Sequence, residues 1–169
     1  MEGISKIALG GGCHWCTEAV FQSLKGVQHV AQGYVASTVD NTCFSEAVII
    51  SFNSEIIPLE TLIEIHLFTH KRTSDHSMRD KYRSAIYFFS EVQQKEVNAI
   101  LKRLQLDFND KLITKILPFS KFKPSRDEIT NYYYKNPEKP FCRSFIEPKL
   151  KLLLSNYSEI TDAEKIKIQ

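Results

Sequence analysis

Short apolar strands interleaved with amphipathic helices, in mixed rather than strictly repeating order, predict an α+β fold. Two further observations sharpen that reading. The chain has 169 residues, 43% of them hydrophobic, enough to build one compact domain with its own core. No internal repeat, low-complexity stretch or Gly/Ser/Pro linker divides it.

The elements follow in order. Ile4 to Leu9 reads as a short buried strand, and Gly10-Gly11-Gly12 after it suit a sharp turn, because glycine takes positive φ without penalty. Trp15, Ala19, Val20 and Leu24 have helical spacing over 13–24, which places Cys13 at a helix N-terminus. Val27 to Ala36 and Ala47 to Phe52 are the second and third strands. Pro58 suits a first helical turn, and Leu59, Leu62, Ile63, His66 and Leu67 continue an amphipathic pattern. Residues 70–81 are polar and read as a loop. Ser84 to Phe89 is a fourth strand, and Ser90 caps a helix running to about Leu106. Ile113 to Leu117 is a fifth strand. Lys123 to Tyr134 reads as largely helical, stopped by Asn136-Pro137. Pro148 to Asn156 is a last helix with Leu150, Leu152, Leu153 and Leu154 giving it a core face. Residues 1–157 then form the functional domain, and a polar tail over 158–169 is expected to fray.

Charge and composition exclude several classes. Lys plus Arg number 22 against 20 Asp plus Glu, a net charge of +2, which lacks the basic footprint of a dedicated nucleic-acid binder. No apolar run reaches the roughly 18 residues of a membrane span, and residues 1–12 show no leader pattern. A cytoplasmic protein without membrane partners is expected. No heptad run argues against a monomer. Four cysteines are too few for a secreted disulfide framework.

Two of those cysteines, Cys13 and Cys16, directly follow the glycines. A thiol attacks only as thiolate, and helix N-termini favour that anion through unpaired N–H groups and the macrodipole. Cys13 has the expected environment of a nucleophile rather than of a packed small hydrophobe. Cys13-His14-Trp15-Cys16 matches the C-x-x-C spacing of dithiols and of half a zinc site. Zinc needs further ligands; Cys43 and Cys142 are isolated, and His66 and His70 lack the glutamate of H-E-x-x-H, so no metal is expected. Cys16, one turn from Cys13, is close enough to capture an oxidised Cys13, or is a packed residue.

The run Gly11-Gly12-Cys13-His14-Trp15-Cys16-Thr17-Glu18 resembles the opening G-C-F-W-[GC]-x-E of the type A peptide methionine sulfoxide reductases. The likeness continues through Leu24-Lys25-Gly26-Val27, Gly33-Tyr34 (family G-Y-x-G-G) and Ser45-Glu46-Ala47-Val48 (H-A-E-x-V). Lys81-Tyr82-Arg83-Ser84-Ala85-Ile86-Tyr87 is close to Q-Y-R-S-A-I-Y. Lys135-Asn136-Pro137 to Phe141-Cys142 is similar to K-N-P-x-x-Y-C, followed by Pro148-Lys149-Leu150.

The resemblance implies a mixed or antiparallel central sheet flanked by helices, with a ferredoxin-like core. It implies that Cys13 attacks the sulfoxide sulfur of the S epimer, protein-bound or free, giving methionine and a cysteine sulfenic acid. Glu46 aligns with the acid that protonates the sulfoxide oxygen, which requires a carboxyl kept protonated near neutrality. Tyr82 aligns with a hydroxyl donor to the same oxygen. Trp15 aligns with the methyl-binding wall, with His14 and Tyr34 beside it. Cys142 aligns with the resolving cysteine, with Cys16 its rival, and thioredoxin or another dithiol as reductant; no bound cofactor is implied.

This sequence departs from the family's pattern in four places. His14 replaces the phenylalanine after the nucleophile. Tyr34 to Glu46 spans only 12 residues and lacks the N-P-x-Y loop whose tyrosine is a second donor. Ser77 stands at the aspartate of N-D-x-G-T. The A-E-x-x-H-Q helix reads Ser125-Arg126-Asp127-Glu128-Ile129-Thr130. Losing one such donor costs on the order of 10²–10³ in rate. A redox-sensing or binding protein that kept the fold and lost turnover is therefore the alternative, and a Cys13–Cys16 dithiol oxidoreductase a third.

Overall fold

The computed structural model describes residues 3–72 and 78–168. Its first half runs β1 (Ile4–Gly10), α1 (His14–Gln22), β2 (Val27–Ala36), β3 (Ser45–Asn53), α2 (Leu59–Phe68) and β4 (Ala85–Phe88). These strands lie in the order β4-β1-β3-β2 with every neighbouring pair antiparallel, the ferredoxin-like arrangement. Then come α3 (Glu91–Leu104), β5 (Lys115–Pro118), β6 (Lys121–Pro124), α4 (Tyr132–Lys135) and α5 (Glu147–Asn156). β5 adds in parallel to β4 at one edge and β6 antiparallel to β2 at the other, so the six-stranded sheet is mixed.

Strand alternation assigns the two faces. Ile7 and Leu9 of β1 and Val48, Ile50 and Phe52 of β3 meet Val20 and Phe21 of α1 and Leu62 and Ile63 of α2, all buried. Ala8, Val35, Ala47, Ala85 and Tyr87 form a second buried cluster on the opposite face. Glu46 has the parity of Val48, so it points to the face that α1 covers. Tyr34 is paired with it across the β2–β3 hairpin.

The end signals are legible in the bonds. Ser90 Oγ accepts the Gln93 amide at the start of α3. Pro58 directly precedes α2. In α5, Leu150 and Leu153 are fully buried, whereas Leu152 and Leu154 are only half-buried.

Three expectations are corrected. Residues 123–134 are not a helix: Lys121–Pro124 is strand β6, Asp127–Ile129 a 3-10 turn, and only Tyr132–Lys135 is α-helical. The sheet edge overrides the helical pattern here. Gly33 allows it, since a Cβ there would lie 2.3 Å from the Lys123 carbonyl oxygen. Asn131, at φ 55, then sets the chain's left-handed entry into α4. Second, the glycine triplet turns without positive φ, which is confined among glycines to Gly3 and Gly26. What it provides is close approach: a Cβ on Gly10 would sit 2.9 Å from the Glu46 carbonyl oxygen, and one on Gly11 2.4 Å from the His70 ring. Third, the stretch from Ser158 is hydrogen-bonded to the body, Lys25 N to Ile160 O at 2.7 Å and Asp162 N to Ser23 O at 2.8 Å. Its Thr161 is buried. The loop read over 70–81 includes residues 73–77, with Asp75, His76 and Ser77, which lie outside the described residues.

Candidate active site

The C-terminal end of β1, the N-terminus of α1, the start of β3 and the turn before β4 converge. Backbone register fixes that turn. Glu46 N donates to the Lys81 carbonyl at 2.9 Å, Ser45 Oγ donates to the same oxygen at 2.9 Å, and Arg83 N donates to Ser45 Oγ at 2.7 Å. Arg79 Nη1 donates to the carbonyls of Gly11 and Tyr82, both at 3.0 Å, tying the turn to the glycine loop. Tyr82 is thereby brought to the Cys13 side.

Cys13 directly precedes α1, half-buried. Its thiol is lowered to about 7, chiefly by a hydrogen bond from the Cys16 thiol and with help from the Trp15 and Cys16 amides. Burial and the charge of Glu46 push the other way without winning. Cys16 is buried, and its thiol is held protonated by that same bond, by burial and by the Cys13 charge. The C-x-x-C spacing thus produces an acidic outer thiol and a protonated inner one.

Cys13, Cys16 and Tyr82 line one cavity of about 400 Å³, walled further by Met78, Phe141, Phe145 and Lys149. Lys149 donates to the Thr69 carbonyl. Burial lowers the Lys149 ammonium, and the Cys16 and Cys13 sulfurs oppose that shift. Trp15 stacks on Tyr132 at 4.0 Å between ring centroids and meets Phe141 edge-on at 5.2 Å.

Not every expected residue reaches this cavity. Glu46, Trp15, Tyr34 and His14 are not among the cavity's lining residues; the His14 ring, 2% exposed, lies against Glu46, with Tyr34 edge-on at 5.1 Å. Cys142 is fully buried in a π-helical turn, Cys142–Ile146, with its thiol on the Asn136 carbonyl at 3.4 Å. It does not line the Cys13 cavity.

Glu18 of α1 is buried and accepts the amides of Asn131 and Tyr132 at 3.0 and 3.1 Å. Its carboxylate anchors the entry into α4, and thereby Tyr132. Residues to which the sequence reading gave no place in the site are Tyr132, Phe141, Phe145, Met78, His70 and Lys149. For two of them a signal existed, since Phe141 and Phe145 are one helical turn apart.

Behind the glycines, His66 Nε2 donates to the Gly10 carbonyl at 2.7 Å, and burial lowers it to about 4. Burial also holds His70 well below its ordinary value; its Nδ1 donates to the His66 carbonyl and its Nε2 accepts from Ser84 at 2.7 Å. Two neutral rings thus brace the loop that carries Cys13. Among the described residues no three His, Cys, Asp or Glu side chains converge as metal ligands, and no helix is long and apolar enough to cross a membrane.

Comparison with known proteins places this geometry. Residues 5–161 match the family model described as peptide methionine sulfoxide reductase. The peptide methionine sulfoxide reductase of Sulfolobus acidocaldarius is 33% identical over 165 residues, 89% of this chain and 94% of that protein. The crystal structure of Mxr1 from Saccharomyces cerevisiae in reduced form superposes with a TM-score of 0.72 at 25% identity, covering 83% of this chain and 90% of that one. Mxr1 in complex with Trx2 superposes with a TM-score of 0.62 at 23% identity, over 75% and 84% of the two chains. With nearly the whole chain matched in sequence and the sheet matched in space, this protein belongs to the peptide methionine sulfoxide reductase family.

Proposed function

We propose that the chain reduces the S epimer of methionine sulfoxide, in proteins or as the free amino acid, by thiol chemistry at Cys13. The observation that carries it is Cys13 lowered to about 7 and hydrogen-bonded to a buried, protonated Cys16, in a cavity shared with Tyr82. At neutral pH a substantial share of Cys13 is thiolate. The thiolate attacks the sulfoxide sulfur, Tyr82 donates a hydrogen bond to the sulfoxide oxygen, and Glu46 delivers a proton to it. The oxygen passes to Cys13 as sulfenic acid and methionine leaves as the thioether. The aromatic group of Trp15, Tyr132, Phe141 and Phe145 receives the apolar part of the substrate.

Cys16 is the resolving thiol of this reading. It lies one helical turn from Cys13 and lines the same cavity, whereas Cys142 has to leave a fully buried position to reach it. Attack of the Cys16 sulfur on the Cys13 sulfenic acid expels water and leaves a disulfide, which two electrons from thioredoxin or a small dithiol return to the thiol pair.

The test is consumption of dabsylated methionine-S-sulfoxide with dithiothreitol as reductant. Wild type consumes the S epimer and leaves the R epimer, and Cys13→Ser consumes neither. Equal S-epimer consumption by wild type and Cys13→Ser refutes the proposal.

A further inference from the structure

Beside Cys13, a histidine and a glutamate share one buried contact that the nucleophile, the resolving thiol and the aromatic wall leave unexplained. His14 Nδ1 lies 2.7 Å from the Gly33 carbonyl oxygen, an acceptor with no proton to give. Nδ1 therefore carries a proton, and Nε2 faces Glu46 Oε1 at 2.9 Å. With Nδ1–H committed, that contact holds one more proton, as imidazole facing a carboxyl or imidazolium facing a carboxylate. Without it, a ring lone pair would face a carboxylate in a site where His14 is 2% and Glu46 6% exposed. The other carboxyl oxygen, Glu46 Oε2, is buried and has no hydrogen-bond partner. One oxygen is held by the ring and the other is left for a group from outside the fold.

We propose that His14 is a positioning and proton-holding residue for Glu46, keeping on the Nε2···Oε1 contact the proton that Glu46 delivers to the sulfoxide oxygen. This rests on the reductase reading above. In the step, the Cys13 thiolate attacks the sulfoxide sulfur, the delivered proton goes to the sulfoxide oxygen, and that oxygen passes to the Cys13 sulfur as the substrate's sulfur–oxygen bond breaks, giving the sulfenic acid and the thioether. The pair is left as neutral imidazole and carboxylate and takes a proton back from solvent. A histidine in place of the family's phenylalanine thus changes how the acid is kept loaded.

The surroundings set the sign of its pH dependence. The charges of Cys13, just before α1, and of Glu18, within it, act on His14, the Tyr34 ring meets it from β2, and Lys81, before β4, interacts with the Glu46 charge. Burial pulls His14 down, but the Glu46 hydrogen bond and charge, the Gly33 carbonyl and the Cys13 charge outweigh it and raise it above its ordinary value. The pair keeps its proton to higher pH than a free imidazole and loses it as pH rises further.

Two measurements test this on the whole reduced protein. Wild-type turnover of methionine-S-sulfoxide rises with pH through about 7 as Cys13 ionises and falls at higher pH as the pair deprotonates. In His14→Gln, which keeps a donor to Glu46 but stores no proton, kcat falls about tenfold or more, KM stays within about twofold, and the alkaline limb moves down by about one pH unit. His14→Phe gives the same shift. Nitrogen-15 spectra of labelled histidine read the pair without turnover: His14 titrates above its ordinary value in wild type and at lower pH in Glu46→Gln. Profiles of folded His14→Gln and His14→Phe that superimpose on wild type, or a His14 titration indifferent to Glu46→Gln, overturn the inference. A wild type that consumes no sulfoxide overturns the reductase reading and the delivery step with it, and the nitrogen spectra still report whether the pair holds its proton.

Discussion

On one side of Cys13 stands the sheet, and on the other a set of aromatic rings, Trp15 of α1 and the rest from the irregular C-terminal half. The sheet side is held by directional bonds. Glu46 lies in the β2–β3 register, its amide on Lys81, and the His14 ring is clamped between Gly33 and the Glu46 carboxyl. On the aromatic side the Glu18 carboxylate holds the backbone at Tyr132, but the side chains meet through ring contacts: Trp15 on Tyr132, Phe141 edge-on to both, Phe145 tilted on Phe141 at 5.0 Å. Hydrogen bonds fix a group to a few tenths of an ångström, as proton transfer requires, while ring packing tolerates shifts and suits a variable apolar ligand. Under the proposed chemistry the comparison teaches a division of labour, with proton and thiol chemistry on the sheet side and substrate grip on the other.

Substitutions on the two sides sharpen or break that division. The largest effect is expected from Glu46→Gln, which removes the delivered proton and keeps the shape. Its kcat falls on the order of 10²-fold or more with KM nearly unchanged, read by steady-state kinetics on methionine-S-sulfoxide. Phe141→Ala comes next, raising KM about tenfold and changing kcat less than about threefold, because it removes one wall of the grip. The reverse pattern, Glu46→Gln acting on KM and Phe141→Ala on kcat, breaks the division. The smallest effect on turnover is expected from Gly11→Ala. Its Cβ meets the His70 ring at 2.4 Å, so the cost is overpacking of about 1–3 kcal/mol, seen as a lower urea midpoint with the slope unchanged. An unchanged midpoint would show that the loop bearing Cys13 is not braced by the two histidines.

The same division separates what was legible in the sequence from what was not. The strands and helices of the β4-β1-β3-β2 core show plain alternation or helical spacing, and Ser90 and Cys13 sit where caps and helix starts are readable. Lys121 to Pro124 carries no strand signal of its own; it becomes β6 because Gly33 leaves room at an open sheet edge. Phe141 and Phe145 are paired by their one-turn spacing, but Tyr132 comes from a separate short segment, so no period announces that it joins them. Lys149 on a helix reads as a solvent-facing cation until the burial of α5 turns it toward the sulfurs. The His14–Glu46 contact was hidden for a different reason, because the resemblance suggested that position 14 belongs to an apolar pocket. Only the carbonyl of Gly33 turns the ring toward the acid.

The central claim is that Cys13 is the attacking thiol and Cys16, one helical turn away in the same cavity, its resolver. Its most direct test is a single turnover: reduced protein, one equivalent of methionine-S-sulfoxide, no reductant, then alkylation and peptide mass mapping. A Cys13–Cys16 disulfide is predicted, with Cys43 and Cys142 alkylated and one equivalent of methionine released. A Cys13–Cys142 bridge, or methionine released with Cys13 still alkylated as a free thiol, would contradict the account.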